Sequence, residues 1–140
     1  YYASIRAMMA QFRLLNERFI FTGPVPDEDL AVYYRHAAVY ISLSEHEGFC
    51  APLLEAMAAD VPILAYAAAA VPETLGGSGM QFFPKDMEYA AELLGLLTFD
   101  DDLRARIVAG QRQRLTFFTD ARVERGLTSV VAFSGGTFPS

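Results

Sequence analysis

Apolar positions along the chain follow two alternating rhythms. Short β-branched or aromatic runs are separated by stretches in which apolar residues recur every three or four positions. That alternation predicts a parallel sheet built from βα units. Residues 4–16 read as an amphipathic helix with Ile5, Met8, Met9, Phe12 and Leu15 on one side. Phe19 to Thr22 reads as a strand ended by Gly23-Pro24. Asp27 is placed to cap a helix whose Leu30, Tyr33, Tyr34 and Ala37 fall at i, i+3, i+4 and i+7. Val39–Leu43 and Pro62–Tyr66 read as buried strands, the second apolar on both sides as a central parallel strand should be. Val71–Leu75 reads as one helical turn, and Met80–Phe83 as a fourth strand after the glycine-rich turn Gly76–Gly79. Helices are expected near 87–97, 101–118 and 120–133, and the Gly/Ser/Pro-rich 134–140 as a frayed tail. Residues 1–133 are thus expected to form one α/β domain, a Rossmann-like three-layer α/β/α arrangement around a parallel sheet.

Composition narrows the function classes. The 140 residues suffice for a single packed core, and an apolar share of 53% with one cysteine fits a reduced, cytoplasmic protein. A net charge of −6 argues against nucleic acid or an anionic membrane as partner. The longest apolar stretch, Val61 to Pro72, is too short to span a bilayer and holds two prolines. No cleavable signal opens the chain, which starts at Tyr1 and is expected to be a piece of something longer.

The stretch Ser44–Ala58 carries the candidate chemistry. Its first half is a polar turn around Gly48; its second half opens a helix near Cys50 or Ala51, with Pro52 in the first turn, where a missing N–H costs nothing. Such a helix start aims backbone N–H groups and a positive dipole end at the Gly48–Cys50 turn, a site suited to phosphate. Glu47 on the turn and Glu55 a turn into the helix flank that site. Carboxylates beside a phosphate pocket bind hydroxyls, so the pattern asks for a phosphorylated, hydroxyl-rich ligand, and a nucleotide-sugar fits. The plainer reading is that both acids only stabilise the helix dipole.

The run Glu47-Gly48-Phe49, then Pro52-Leu53-Leu54-Glu55-Ala56-Met57-Ala58, resembles the signature of retaining glycosyltransferases of the GT-B fold, family four. The resemblance continues through Pro62-Ile63-Leu64-Ala65 and Val71-Pro72-Glu73-Thr74-Leu75-Gly76, and upstream through Phe21-Thr22-Gly23 and Asp27-Glu28-Asp29-Leu30; it covers roughly residues 17–118. It implies the C-terminal, donor-binding half of such an enzyme, using a nucleotide-sugar such as GDP-mannose or UDP-glucose, with no bound metal and no further cofactor. By this resemblance Glu55 accepts hydrogen bonds from the ribose diol, and Glu47 binds a donor-sugar hydroxyl near the reacting carbon. The amides of Phe49, Cys50 and Ala51, beside Gly48, hold the diphosphate. Glu73 lies beside the donor, and Ser44 and Gly23 line the base or ribose pocket. The acceptor site, and any membrane contact, belong to an N-terminal half outside this chain; peripheral attachment at the inner membrane is left open for the full enzyme.

Departures from the family pattern matter too. Cys50 stands where a second glycine is common, and Asp60 where a glycine often ends the helix in a left-handed conformation. A thiol at the first helical turn is expected to be moderately reactive, favoured by the dipole and opposed by Glu47. The family's diphosphate-binding Arg and Lys find no match; Lys85, the only lysine, is too distant along the chain. His46 reads as a surface residue rather than a base, and His36 as a dipole partner near a helix end. Asp100-Asp101-Asp102 reads as helix capping rather than a metal cluster. The competing class is a non-catalytic nucleotide- or partner-binding α/β regulatory module.

Overall fold

The computed structural model describes residues 2–13, 19–46, 48 and 50–118. Six helices and three strands run in the order α1 (Tyr2–Gln11), α2 (Asp27–His36), β1 (Tyr40–Ser42), α3 (Ala51–Ala58), β2 (Ile63–Tyr66), α4 (Val71–Leu75), β3 (Met80–Phe82), α5 (Met87–Phe99) and α6 (Asp101–Leu115). The strands pair in parallel in the order β1-β2-β3, with Ile41 opposite Leu64 and Ala65 opposite Gln81. Helices cover both faces, so the α/β, Rossmann-like expectation holds.

Strand alternation divides the core. Ile63 and Ala65 of β2 point into one cluster with Leu53, Leu54, Ala56 and Met57 of α3, Tyr34 of α2, and Val71 and Leu75 of α4. Leu64 points the other way, into a cluster with Phe82 and with Ala90, Leu93 and Leu97 of α5. Both faces of β2 are therefore apolar and buried, as a central parallel strand requires.

Gln111 of α6 is fully buried between these layers. Its Oε1 accepts from the Ile63 N–H at 3.0 Å and its Nε2 donates to the Val61 carbonyl at 2.8 Å. One side chain thus satisfies both backbone groups where the chain enters β2, groups that would be costly to bury unpaired.

The helix ends follow their local chemistry. Asp86 Oδ1 accepts from the Glu88 and Tyr89 N–H groups, and Asp100 Oδ1 from that of Leu103. The Asp100-Asp101-Asp102 run is accordingly the start of α6. His36 closes α2, its Nδ1 bonded to the Val32 carbonyl at 2.9 Å. Asp60 follows α3 at φ 58, the left-handed position where glycine is favoured, and grips Arg112 through both carboxylate oxygens at 2.6 and 2.7 Å. Gly76 ends α4 in the same conformation, at φ 54.

Three expectations need correction. Phe19–Thr22 forms no strand: Phe19, Ile20 and Phe21 remain exposed, because a β-favouring run becomes a strand only where a pleated neighbour covers it. Asp27 is the first residue of α2 rather than its cap; Pro26 holds that position. The first helix is α1, Tyr2–Gln11, with its apolar side only partly covered: Met8 is exposed, and so is Phe12 just beyond its end. The expected helix at 120–133, the tail at 134–140 and Leu15 lie outside the described residues.

Candidate functional site

In a parallel sheet every strand ends at the same rim, so the segments after β1 and β2 are neighbours there. The first is the motif turn leading to α3, and the second is Ala67–Ala70 leading to α4. Each holds a non-glycine residue in the left-handed region, Cys50 at φ 54 and Ala69 at φ 48. Left-handed backbone is unfavourable for a residue with a Cβ, and its occurrence on both rim segments marks their shapes as fixed by surrounding structure.

The helix starts where the sequence places it. Cys50 is the cap position and Ala51 the first residue of α3, with Pro52 in the first turn. Pro52 offers no N–H, and the Leu53 N–H is taken by the Cys50 carbonyl at 2.9 Å. Gly48, Cys50 and Ala51 also belong to this turn. Gly48 is exposed, and a Cβ built on it would meet nothing within 4 Å. The Cys50 side chain is directed inward and buried, 3% exposed, in the core cluster of α3 and β2. That corrects the expectation of an accessible thiol: Cys50 is buried in the core cluster that also holds Leu53 and Leu54. Glu47 and Phe49 lie outside the described residues.

Glu55 sits on the second turn of α3 and is half-buried. The Tyr34 hydroxyl, from α2, donates to Glu55 Oε2 at 3.0 Å and lies 3.3 Å from the Pro52 carbonyl. Burial pushes the Glu55 carboxyl above its ordinary range; the Tyr34 hydrogen bond opposes this, and Asp27 adds to it. Burial, followed by the facing Glu55 charge, pushes the Tyr34 phenol well above its ordinary range. Glu55 is therefore a held carboxylate with a second oxygen, Oε1, that has no hydrogen-bond partner among the described residues. A simple exposed glutamate it is not.

Spacing assigns Tyr34 only to the apolar face of α2, since it shows a face but not what a hydroxyl reaches. Lys85 was missed for a related reason. It follows β3 and so stands on the same rim, where its Nζ lies 2.7 Å from Glu45 Oε1, on the motif turn, and 5.2 Å from the centre of the Tyr66 ring. The bond from Lys85 holds the exposed Glu45 carboxyl below its ordinary range. Distance along the chain hid a contact that the sheet makes short.

The remaining candidates are placed as follows. Ser44 is partly buried, and its hydroxyl donates to the His46 carbonyl at 3.4 Å. Glu73 is exposed in the first turn of α4, its carbonyl receiving Arg114 Nη2 at 2.6 Å. Gly23, at φ 62, belongs to the turn before α2, with no strand in front of it, and the structure does not bring it to the rim formed by the sheet. No group of three metal-ligating side chains stands together among the described residues. No helix among them is long and apolar enough to cross a membrane.

Comparison with known proteins places the chain in a family. The family model described as glycosyl transferases group 1 matches residues 7–114. The chain is 38% identical over 68 residues to the O-antigen chain mannosyltransferase B of Escherichia coli, covering 49% of this chain and 18% of that protein. It is 36% identical over 97 residues to the MMP alpha-(1->4)-mannosyltransferase of Mycolicibacterium hassiacum, covering 66% of this chain and 24% of that protein. With the D-inositol 3-phosphate glycosyltransferase of Corynebacterium jeikeium it shares 36% identity over 86 residues, 60% of this chain and 20% of that protein. The chain thus spans a quarter or less of the length of these relatives. No solved structure matches it.

Proposed function

Since the chain belongs to the glycosyl transferases group 1 family, we propose that it is the donor-binding part of a retaining GT-B, family four enzyme moving a hexosyl group from a nucleotide-sugar to an acceptor hydroxyl. The observation that carries this reading is the Glu55 carboxylate, half-buried one turn beyond the start of α3 and held there by Tyr34. A carboxylate at that place has the chemistry to accept both hydroxyls of a ribose, in charge-assisted hydrogen bonds. The N-terminal turn of α3 lies before it for the diphosphate.

In this reading Glu47 takes a sugar hydroxyl beside the reacting carbon. The amides of Phe49, Cys50 and Ala51 stabilise the leaving diphosphate as negative charge develops on it. Ser44, Gly23 and Glu73 lie around the donor. Two relatives are by name mannosyltransferases, which favours GDP-mannose over UDP-glucose as donor. The reaction needs no resident metal; the acceptor site belongs to an N-terminal domain, and the family's diphosphate-binding Arg and Lys have no match in this chain. Lys85, engaged with Glu45, does not replace those cations. The working location is the cytoplasm, with any membrane contact made through the N-terminal part. A non-catalytic regulatory module is not favoured, because the family match covers most of the chain.

A thermal-shift panel of UDP, GDP, ADP and their sugars tests the proposal, since a ligand bound only by the folded state raises its melting temperature. One nucleotide class should raise it in proportion to the logarithm of concentration. No shift with any of them at millimolar concentration contradicts a donor site in this chain. The chain alone should also transfer no radiolabelled sugar to glycan acceptors above a blank.

A further inference from the structure

Tyr34 carries more chemistry than its place in the core requires. Its ring is buried against α3 and lies 6.0 Å from the Tyr40 ring, contacts that a phenylalanine would make as well. The hydroxyl is the extra part, and it points at α3. A phenol has one proton to donate. Its two acceptors are Glu55 Oε2 at 3.0 Å and the Pro52 carbonyl at 3.3 Å, and the nearer one is the ionisable carboxylate.

We infer that Tyr34 is the positioning residue of the donor site: its hydroxyl fixes the Glu55 carboxylate in one orientation, with Oε2 held against α2 and Oε1 left to the ligand. This inference rests on the reading of Glu55 as the ribose ligand. Glutamate has three rotatable side-chain bonds, and on a helix surface it samples several rotamers. A carboxylate accepts about four hydrogen bonds, so the single one from Tyr34 leaves capacity for a diol. A carboxylate already in place loses less freedom when the ligand arrives, which is the usual gain from preorganisation.

The hydroxyl has a second effect. Half-burial and Asp27 both favour the protonated carboxyl, and a protonated Glu55 is a poorer acceptor for two hydroxyls. Tyr34 opposes that, stabilising the charged form. The titratable groups acting on Glu55 are Tyr34 and Asp27, both from α2, while Tyr40 of β1 acts on Tyr34.

Tyr34→Phe keeps the ring and removes the hydroxyl. In the ligand-free protein, carbon-13 NMR of the Glu55 carboxyl should then show a higher titration midpoint. By calorimetry with GDP and UDP, whichever binds should bind about three- to tenfold more weakly to Tyr34→Phe. In a Glu55→Gln background the same change should add almost nothing. Equal loss in both backgrounds would mean a structural role and overturn the inference, as would an unchanged midpoint and affinity. A shifted midpoint with Glu55→Gln binding as well as wild type would sink the ribose reading itself, the Tyr34 bond standing without a ligand to serve. A further measurement needs no change at Tyr34: its Cζ resonance should follow the titration of Glu55, and indifference to it overturns the pairing.

Discussion

Gly76 and Arg114 share a space that only a glycine leaves open: a Cβ on Gly76 would stand 2.7 Å from Arg114 Nε. To move aside, the guanidinium must give up its contacts. It donates to the carbonyls of Glu73 and Thr74 at 2.6 and 3.0 Å and lies over the rings of Phe117 and Phe118. Arg114 so terminates α4 by binding carbonyls that its short helix leaves unmatched, and holds the segment that carries Glu73. Gly76→Ala adds left-handed strain of about 1–2 kcal/mol to the displaced guanidinium. Chemical denaturation should show at least that loss, and a smaller one when Arg114 is also replaced by Ala.

Gln111→Leu fills the same volume but strips the partners from Ile63 N–H and Val61 C=O inside the core. Two buried backbone groups left unpaired should lower stability by about 2–4 kcal/mol. A loss below 1 kcal/mol in urea denaturation would mean that water reaches them.

Ala69 and Cys50 share a backbone conformation but not an environment, Ala69 being exposed and Cys50 buried. Ala69→Gly relieves strain of about 1–2 kcal/mol against about 0.5–1 for glycine's larger unfolded freedom, a net gain of several tenths. Cys50→Gly gains less, because it also removes a packed side chain. As the single cysteine is buried, iodoacetamide should label it slowly in the native protein and quickly in denaturant. Mass spectrometry showing equal rates would contradict that burial.

Glu55 gives the pH dependence its sign. Its folded pKa is raised above the ordinary 4.5, so the native state holds this proton more tightly than the unfolded chain does. The carboxyl's favourable contribution is therefore complete below about 4.5 and is lost as pH rises through the folded value. Glu55→Gln should accordingly gain stability relative to wild type as pH climbs from that point. A stability difference that stays flat from pH 4 to 8 would mean an unperturbed Glu55. Such a trade of stability for function is common at binding sites.

Legibility in the sequence followed the range of the interactions. α3 was readable because Pro52 and the apolar set Leu53, Leu54 and Met57 are local signals, and β2 because Ile63 to Tyr66 is apolar on both faces. The left-handed turn at Asp60 was readable from its place just after a helix. Phe19–Thr22 was not, since strand formation depends on a neighbour that no local residue reports. Contacts across 21, 40 and 50 positions, Tyr34 with Glu55, Lys85 with Glu45 and Gln111 with Val61, depend on the sheet order and had no signal in spacing. Cys50 was legible only as a residue standing where glycine is common; neither its left-handed backbone nor the burial of its side chain had a signal in the sequence.

The central claim is that Glu55 binds the nucleotide, and calorimetric titration of wild type and Glu55→Ala with the nucleoside diphosphate that best stabilises the chain tests it most directly. Losing hydrogen bonds to a charged acceptor should cost about 1.5–3 kcal/mol, a ten- to hundredfold weaker affinity, with the fold retained by circular dichroism. Equal affinity in a well-folded Glu55→Ala protein would contradict the account and take Glu55 out of the site.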